Sequence, residues 1–192
     1  MKRITWITVL LFAFMIGCGG GGGGSKKLTL TEANDLFTSG TYGDALEAYA
    51  DLIPTEGAPA IAGAAWCSIR LGNYVQADSF FTAAGSVTLN ADGYAGWSFA
   101  NWSLNNVTDA IAHANSALAA SPNFTLSLDT RVTKDNLIWI QASSYLQTGN
   151  YTECYNKLHL LDADFAMPSG TSFEIAAALL FELQSLGVAV AS

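Results

Sequence analysis

A chain of 192 residues is long enough for one domain with a sizeable core, or for a short repeat array. It is 51% hydrophobic and only 12% charged, with 16 acidic residues against 8 basic ones and a formal charge of -8. That balance argues against nucleic acid, whose binders need clustered Lys and Arg. The 22 aromatic residues argue against a disordered acidic tail.

In chain order, Lys2 and Arg3 form a positive start, and Ile4 to Ile16 an apolar run interrupted by Thr5 and Thr8. A membrane-spanning helix needs about 20 apolar residues, so this shorter run reads as an export signal. It ends in Met15-Ile16-Gly17-Cys18, which resembles the lipobox of bacterial lipoproteins, with Met15 where Leu is commoner. The resemblance implies a signal peptide of residues 1–17, cleavage after Gly17, a diacylglycerol thioether on Cys18 and an acyl chain on its new amine. Six glycines follow, Gly19 to Gly24, then Ser25, Lys26 and Lys27. Poly-Gly cannot pack a core and behaves as a flexible coil, so residues 18–27 form a tether reaching roughly 15–18 Å. Gly19 stands where an inner-membrane retention signal would have Asp. By resemblance to enterobacterial sorting, the expected location is the outer membrane, facing the periplasm. From Leu28 onward there are 4 basic against 16 acidic residues, a net charge of -12, so positive charge clusters at the tether.

The remaining chain carries an internal repeat: Gly, any residue, Tyr, two residues, a small residue, then an apolar one. It occurs as Gly40-Thr-Tyr42-Gly-Asp-Ala45-Leu46, Gly72-Asn-Tyr74-Val-Gln-Ala77 and Gly149-Asn-Tyr151-Thr-Glu-Cys154-Tyr155, with a degenerate copy at Asn105-Asn-Val107-Thr-Asp-Ala110-Ile111. The anchors are spaced 32, 33 and 44 residues apart. This resembles the tetratricopeptide (TPR) repeat, a helix–turn–helix unit of 34 residues, from Leu28 to about Asp164. The Gly, or Asn105, ends the first helix in a left-handed turn, and the small residue lets paired helices approach closely. The expected fold is all-α: a solenoid of about four TPR-like helix–turn–helix repeats plus a C-terminal capping helix, within residues 28–188. Pro54, Pro59 and Pro122 punctuate helix ends.

The long last spacing places about ten extra residues around Asn123 to Thr133. Few β-branched alternations occur, so strands are not expected, and the insert reads as a loop or an extra helical turn. Beyond Met167-Pro168-Ser169-Gly170, Thr171-Ser-Phe-Glu174 has the form of a capping box. It opens a helix with Ile175, Leu179, Leu180 and Leu183 that runs to about Leu186 and ends at Gly187. Such a helix covers the exposed edge of the array, or begins a fifth repeat that lacks its partner helix.

Chemistry is poorly represented. His113 and His159 have no ligand-spaced neighbours, so no metal is expected. Cys67 and Cys154, in separate repeats, read as buried thiols. No nucleophile elbow, phosphate loop or cofactor motif appears, and an enzyme is not expected. The informative feature is a surface. In TPR arrays the first helix of each repeat lines a concave groove. In this register the groove positions are Leu30, Asn34, Phe37 and Thr38; Ala62, Trp66, Ile69 and Arg70; Ala95, Phe99, Trp102 and Ser103; and Trp139, Ser143, Leu146 and Gln147. Phe37, Trp66, Phe99, Trp102 and Trp139 form an aromatic stripe suited to binding, whereas Trp97 belongs to the core. Two arrangements are open: a free groove, or internal packing against the insert, the cap or neighbouring helices. Arg70 would pair with a ligand carboxylate in the first, and with an acidic side chain of its own chain in the second.

The resemblance to TPR lipoproteins implies a membrane-anchored protein-interaction scaffold of the cell envelope, taking a peptide or partner protein in the aromatic groove. The alternative is a small-molecule or glycan-binding lipoprotein associated with transport, since aromatic stripes stack on sugars. A structural spacer is a third, weaker reading.

Overall fold

The computed structural model describes residues 27–84 and 89–187. The signal peptide, Cys18 and nearly all of the glycine tether lie outside the described residues. Among these residues the helices are α1 (Leu30–Thr38), α2 (Tyr42–Glu56), α3 (Ala58–Arg70), α4 (Tyr74–Ala84), α5 (Ala91–Ser103), α6 (Val107–Ala120), α7 (Lys134–Gln147), α8 (Tyr151–Leu161) and α9 (Ser172–Ser185). None is long and apolar enough to cross a membrane.

The helices pair as α1/α2, α3/α4, α5/α6 and α7/α8, with each pair packed on the next and α9 against α7 and α8. The protein is thus a helix–turn–helix solenoid of four repeats with a terminal helix. Every repeat anchor is in the left-handed region: Gly40 at φ 83, Gly72 at 75, Asn105 at 62 and Gly149 at 73. The same backbone bonds close each turn; Thr41 N–H, for instance, donates to Leu36 C=O and Asn73 N–H to Ser68 C=O. Capping boxes open α1 (Thr29 with Glu32), α7 (Thr133 with Asn136) and α9 (Thr171 with Glu174). Pro59 stands in the first turn of α3, but Pro54 is accommodated inside the last turn of α2.

α3 is the centre of the molecule. Its residues from Ala60 to Ile69 are all buried, and α1, α2, α4 and α5 all touch it. Small side chains make this possible. A Cβ at Gly63 would fall on the Tyr49 ring, so glycine is required where α2 crosses α3. The Tyr49 hydroxyl then reaches α1 and donates to Asn34 Oδ1 at 2.6 Å.

The insert is neither a loop nor a helical turn. It is an antiparallel hairpin of β1 (Thr125–Leu126) and β2 (Asp129–Thr133), with a bulge between Thr125 and Leu126. The expectation that strands are absent is therefore corrected. Side chains alternate: Phe124, Leu126 and Val132 enter the main core with at most 4% exposure, while Thr125 and Arg131 face outward. A two-stranded ribbon has little stability alone, and here its apolar face is secured against the helices.

Candidate functional site

The groove positions divide into two groups. Trp66, Phe99 and Phe37 are at most 2% exposed and belong to the main core. Trp66 lies 5.2 Å from Phe99, centroid to centroid, and its indole N–H donates to the Asp92 carbonyl at 2.9 Å. Assigning these three side chains to an open groove is corrected: α1, α2, α4 and α5 pack around α3, and the hairpin supplies Phe124, Leu126 and Val132 to the same core.

Arg70 is likewise sequestered, its side chain 6% exposed. One guanidinium nitrogen donates to Asp129 Oδ2 at 2.6 Å, across 59 residues of sequence. Asp129 also accepts from Arg131, at 2.9 and 2.8 Å. The Arg131 hydrogen bond, with the charge of Arg70 behind it, holds the Asp129 carboxyl below the usual carboxylate range. Of the two roles open to Arg70, pairing within its own chain is the one realised. A second tie, from the Ser127 hydroxyl to the Asp92 carboxylate, fixes the hairpin turn to the start of α5. What remains of the concave face here is a cleft of about 210 Å³, lined by Leu30, Asn34, Ala62, Gly63, Asp92 and Ser127 among others.

The second group lies toward the C-terminus. Trp102 and Trp139 are half-buried and meet edge to face, centroids 5.3 Å apart. Trp102 donates to the Ser143 hydroxyl at 3.1 Å, and Trp139 to the Leu183 carbonyl of α9 at 3.0 Å. Leu146 and Ser103 are also partly exposed. This aromatic pair is the surviving part of the stripe.

Trp97 is packed against the core and partly buried, and its N–H is committed to a polar network. Trp97 and the Asn101 amide both donate to Asp78 Oδ1 at 2.8 Å. Asn101 Oδ1 is then left as an acceptor for His113 Nδ1, 3.0 Å away, which places the proton of a neutral His113 on Nδ1. Burial pushes the His113 pKa down despite Asp109 and Asp78, and its ring stacks on Trp97 at 3.9 Å. This histidine is a partnered strut between α5 and α6. Cys67 and Cys154 are free and buried, their thiols pushed up to about 12 by desolvation, so they are poor nucleophiles.

Leu180, one of the apolar residues of the terminal helix, is 47% exposed. With Phe173 at 81% and Phe181 at 70%, it forms an outward apolar strip on α9. A signal existed, since α9 is apolar on nearly all sides. The partner of Arg70 could not be singled out among the acidic residues, although Phe124, Leu126 and Leu128 alternate at strand spacing.

No family model matches the chain, and no curated protein matches it. Among solved structures it is similar to YrrB, a TPR protein with an unusual peptide-binding site, at 16% identity. The likeness covers 84% of this chain and 86% of YrrB, with a TM-score of 0.59. At that identity the likeness shows the fold, a TPR-like helical array.

Proposed function

We propose that this chain is a lipid-anchored protein-interaction scaffold of the bacterial cell envelope, binding a peptide or partner protein around Trp102 and Trp139. The observation that carries the reading is the partly exposed Trp102–Trp139 pair, on the stretch of concave face where two aromatics remain accessible. Trp is enriched in binding hot spots because it buries a large area at small entropic cost. The shared fold with YrrB, which has a peptide-binding site, supports a peptide partner. The anchor rests on Met15-Ile16-Gly17-Cys18 and the glycine tether, and the outer membrane on Gly19. The glycan reading ranks second: the concave cleft of about 210 Å³ is lined by none of the aromatic groove side chains that would stack on a sugar.

The test is affinity capture from the native envelope with the full chain. Trp102→Ala is expected to lower recovery of the captured partner at least tenfold while retaining the helical circular dichroism of the parent. Equal recovery by a folded Trp102→Ala variant sinks the proposed face. In the same cells, labelled palmitate is expected on the parent and absent from Cys18→Ser; equal labelling removes the anchor.

A further inference from the structure

The concave cleft beside the hairpin turn brings together α1, α3, the start of α5 and the β1–β2 turn. Its volume is about 210 Å³, the space of about seven waters at roughly 30 Å³ each. A valyl residue has a similar number of heavy atoms, so the cleft has room for one small residue.

One set of groups on the cleft accepts hydrogen bonds. Asp92, partly buried in the first turn of α5, takes the Ser127 hydroxyl on Oδ2. Its Oδ1 has no hydrogen-bond partner among the described residues. No described cation pairs with it either, since Arg70 and Arg131 are both committed to Asp129. Having donated its only proton, Ser127 Oγ is left to accept. Asp92 Oδ1, Asp92 Oδ2 and Ser127 Oγ thus offer three acceptor atoms around one negative charge. That set matches the three N–H donors of an ammonium group.

A second set donates. Asn34 Oδ1 accepts from the Tyr49 hydroxyl at 2.6 Å, and Asn90 Oδ1 from Gly93 N–H at 2.9 Å. Both amide NH2 groups are left as donors without a partner among the described residues, suited to a carbonyl oxygen. Leu30, Ala62 and Leu128 supply apolar lining. An ammonium and a carbonyl on one small apolar residue describe the first residue of a peptide. A lysine side chain would bring the ammonium alone and leave both amides unused. A free amino acid would bring a carboxylate, for which no cation lines the cleft. In an array with a net charge of -12 from Leu28 onward, the uncharged carbonyl of a peptide is the better complement.

We propose that this cleft captures the N-terminal ammonium and first carbonyl of a peptide partner. The inference rests on the peptide-binding reading for the class of partner, and not on the Trp102–Trp139 pair. The experiment titrates the full chain with valyl-glycyl-glycinamide and follows the Asn34 and Asn90 side-chain amides by NMR. Both are expected to shift saturably. Acetylating the peptide's amine, using free valine instead, or substituting Asp92→Asn is each expected to weaken binding at least tenfold. Asp92→Asn keeps an acceptor for the Ser127 hydroxyl and the backbone carbonyl that Trp66 uses. Ser127→Lys, at an exposed position, sets the chain's own ammonium beside Asp92 and is expected to abolish binding; it decides the matter if Asp92→Asn loses its fold. No saturable shift up to about 10 mM, at the weak end of ligand affinities, overturns the proposal. Equal binding of the acetylated peptide or of free valine, or equal binding by either folded variant, does the same. Shifts at the Trp102 and Trp139 indoles with Asn34 and Asn90 unmoved also overturn it, while leaving the aromatic face standing. Equal envelope capture by Trp102→Ala, in contrast, removes only that face.

Discussion

Replacing Trp66 by alanine is expected to lower the unfolding free energy by about 3–5 kcal/mol, the range for emptying a fully packed aromatic site. Trp66 has no exposed surface, lies against Phe99, and spends its N–H on the Asp92 carbonyl. Even its neighbour is fitted to it: a Cβ on Gly96 would come within 3.0 Å of the indole nitrogen. Collapse around the vacated space would have to move α3, which four helices hold. For a chain of this size the change corresponds to a fall in melting temperature of roughly 6–20 °C, read by circular dichroism on heating. A shift of only a degree or two would mean that Trp66 lines an open groove. The same scan on Trp102→Ala is expected to show a much smaller fall, since Trp102 is partly exposed.

Asp129→Ala is expected to cost a comparable amount, about 3–5 kcal/mol, because it strands the Arg70 charge at a site where the side chain is 6% exposed. Removing both partners, as Arg70→Met with Asp129→Leu, is expected to recover much of the loss, since no buried charge is then unpaired. Urea midpoints of the single and double variants measure this; a double variant no more stable than Asp129→Ala would contradict it. The acid side follows from the same pair. The Asp129 pKa is held down in the fold, chiefly by Arg131. The stabilisation is therefore present above the unfolded-state value, near 3.9, and is lost as pH falls through the lower folded value. Asp129→Asn should accordingly lose less stability than the parent as pH falls below about 4.

The repeat was legible because it is written locally. A left-handed Gly or Asn, an aromatic two residues on (Val107 in the third repeat) and a small residue three further specify one helical turn-around. Gly40, Gly72, Asn105 and Gly149 all adopt it. The α9 start was legible for the same reason, as Thr171 and Glu174 satisfy each other within a single turn. Position in a repeat, however, says only which way a side chain points from its own helix pair. Whether Trp66 then meets solvent depends on how far the array curls and on a segment 60 residues away. Both are long-range properties. The hairpin was hidden because its strands are short and their stability comes from burying Phe124, Leu126 and Val132 in a core built by other repeats. The outward strip of α9 was hidden by the opposite problem. Apolar residues lie on nearly all sides of that helix, so periodicity could not tell the covered Leu179 from the uncovered Leu180.

The chain's own hairpin and helices close the N-terminal part of the concave face and leave the Trp102–Trp139 part accessible. Native-state hydrogen exchange of the indole N–H groups, resolved by NMR on the full chain, tests it most directly. The Trp66 indole, bonded to Asp92 inside the core, should exchange only on global opening, with the same free energy as the slowest amides of α3. The Trp102 indole, bonded to a side-chain hydroxyl at a partly exposed site, should exchange through local opening at lower free energy. Exchange of Trp66 as fast as that of Trp102, well ahead of the α3 amides, would contradict the account.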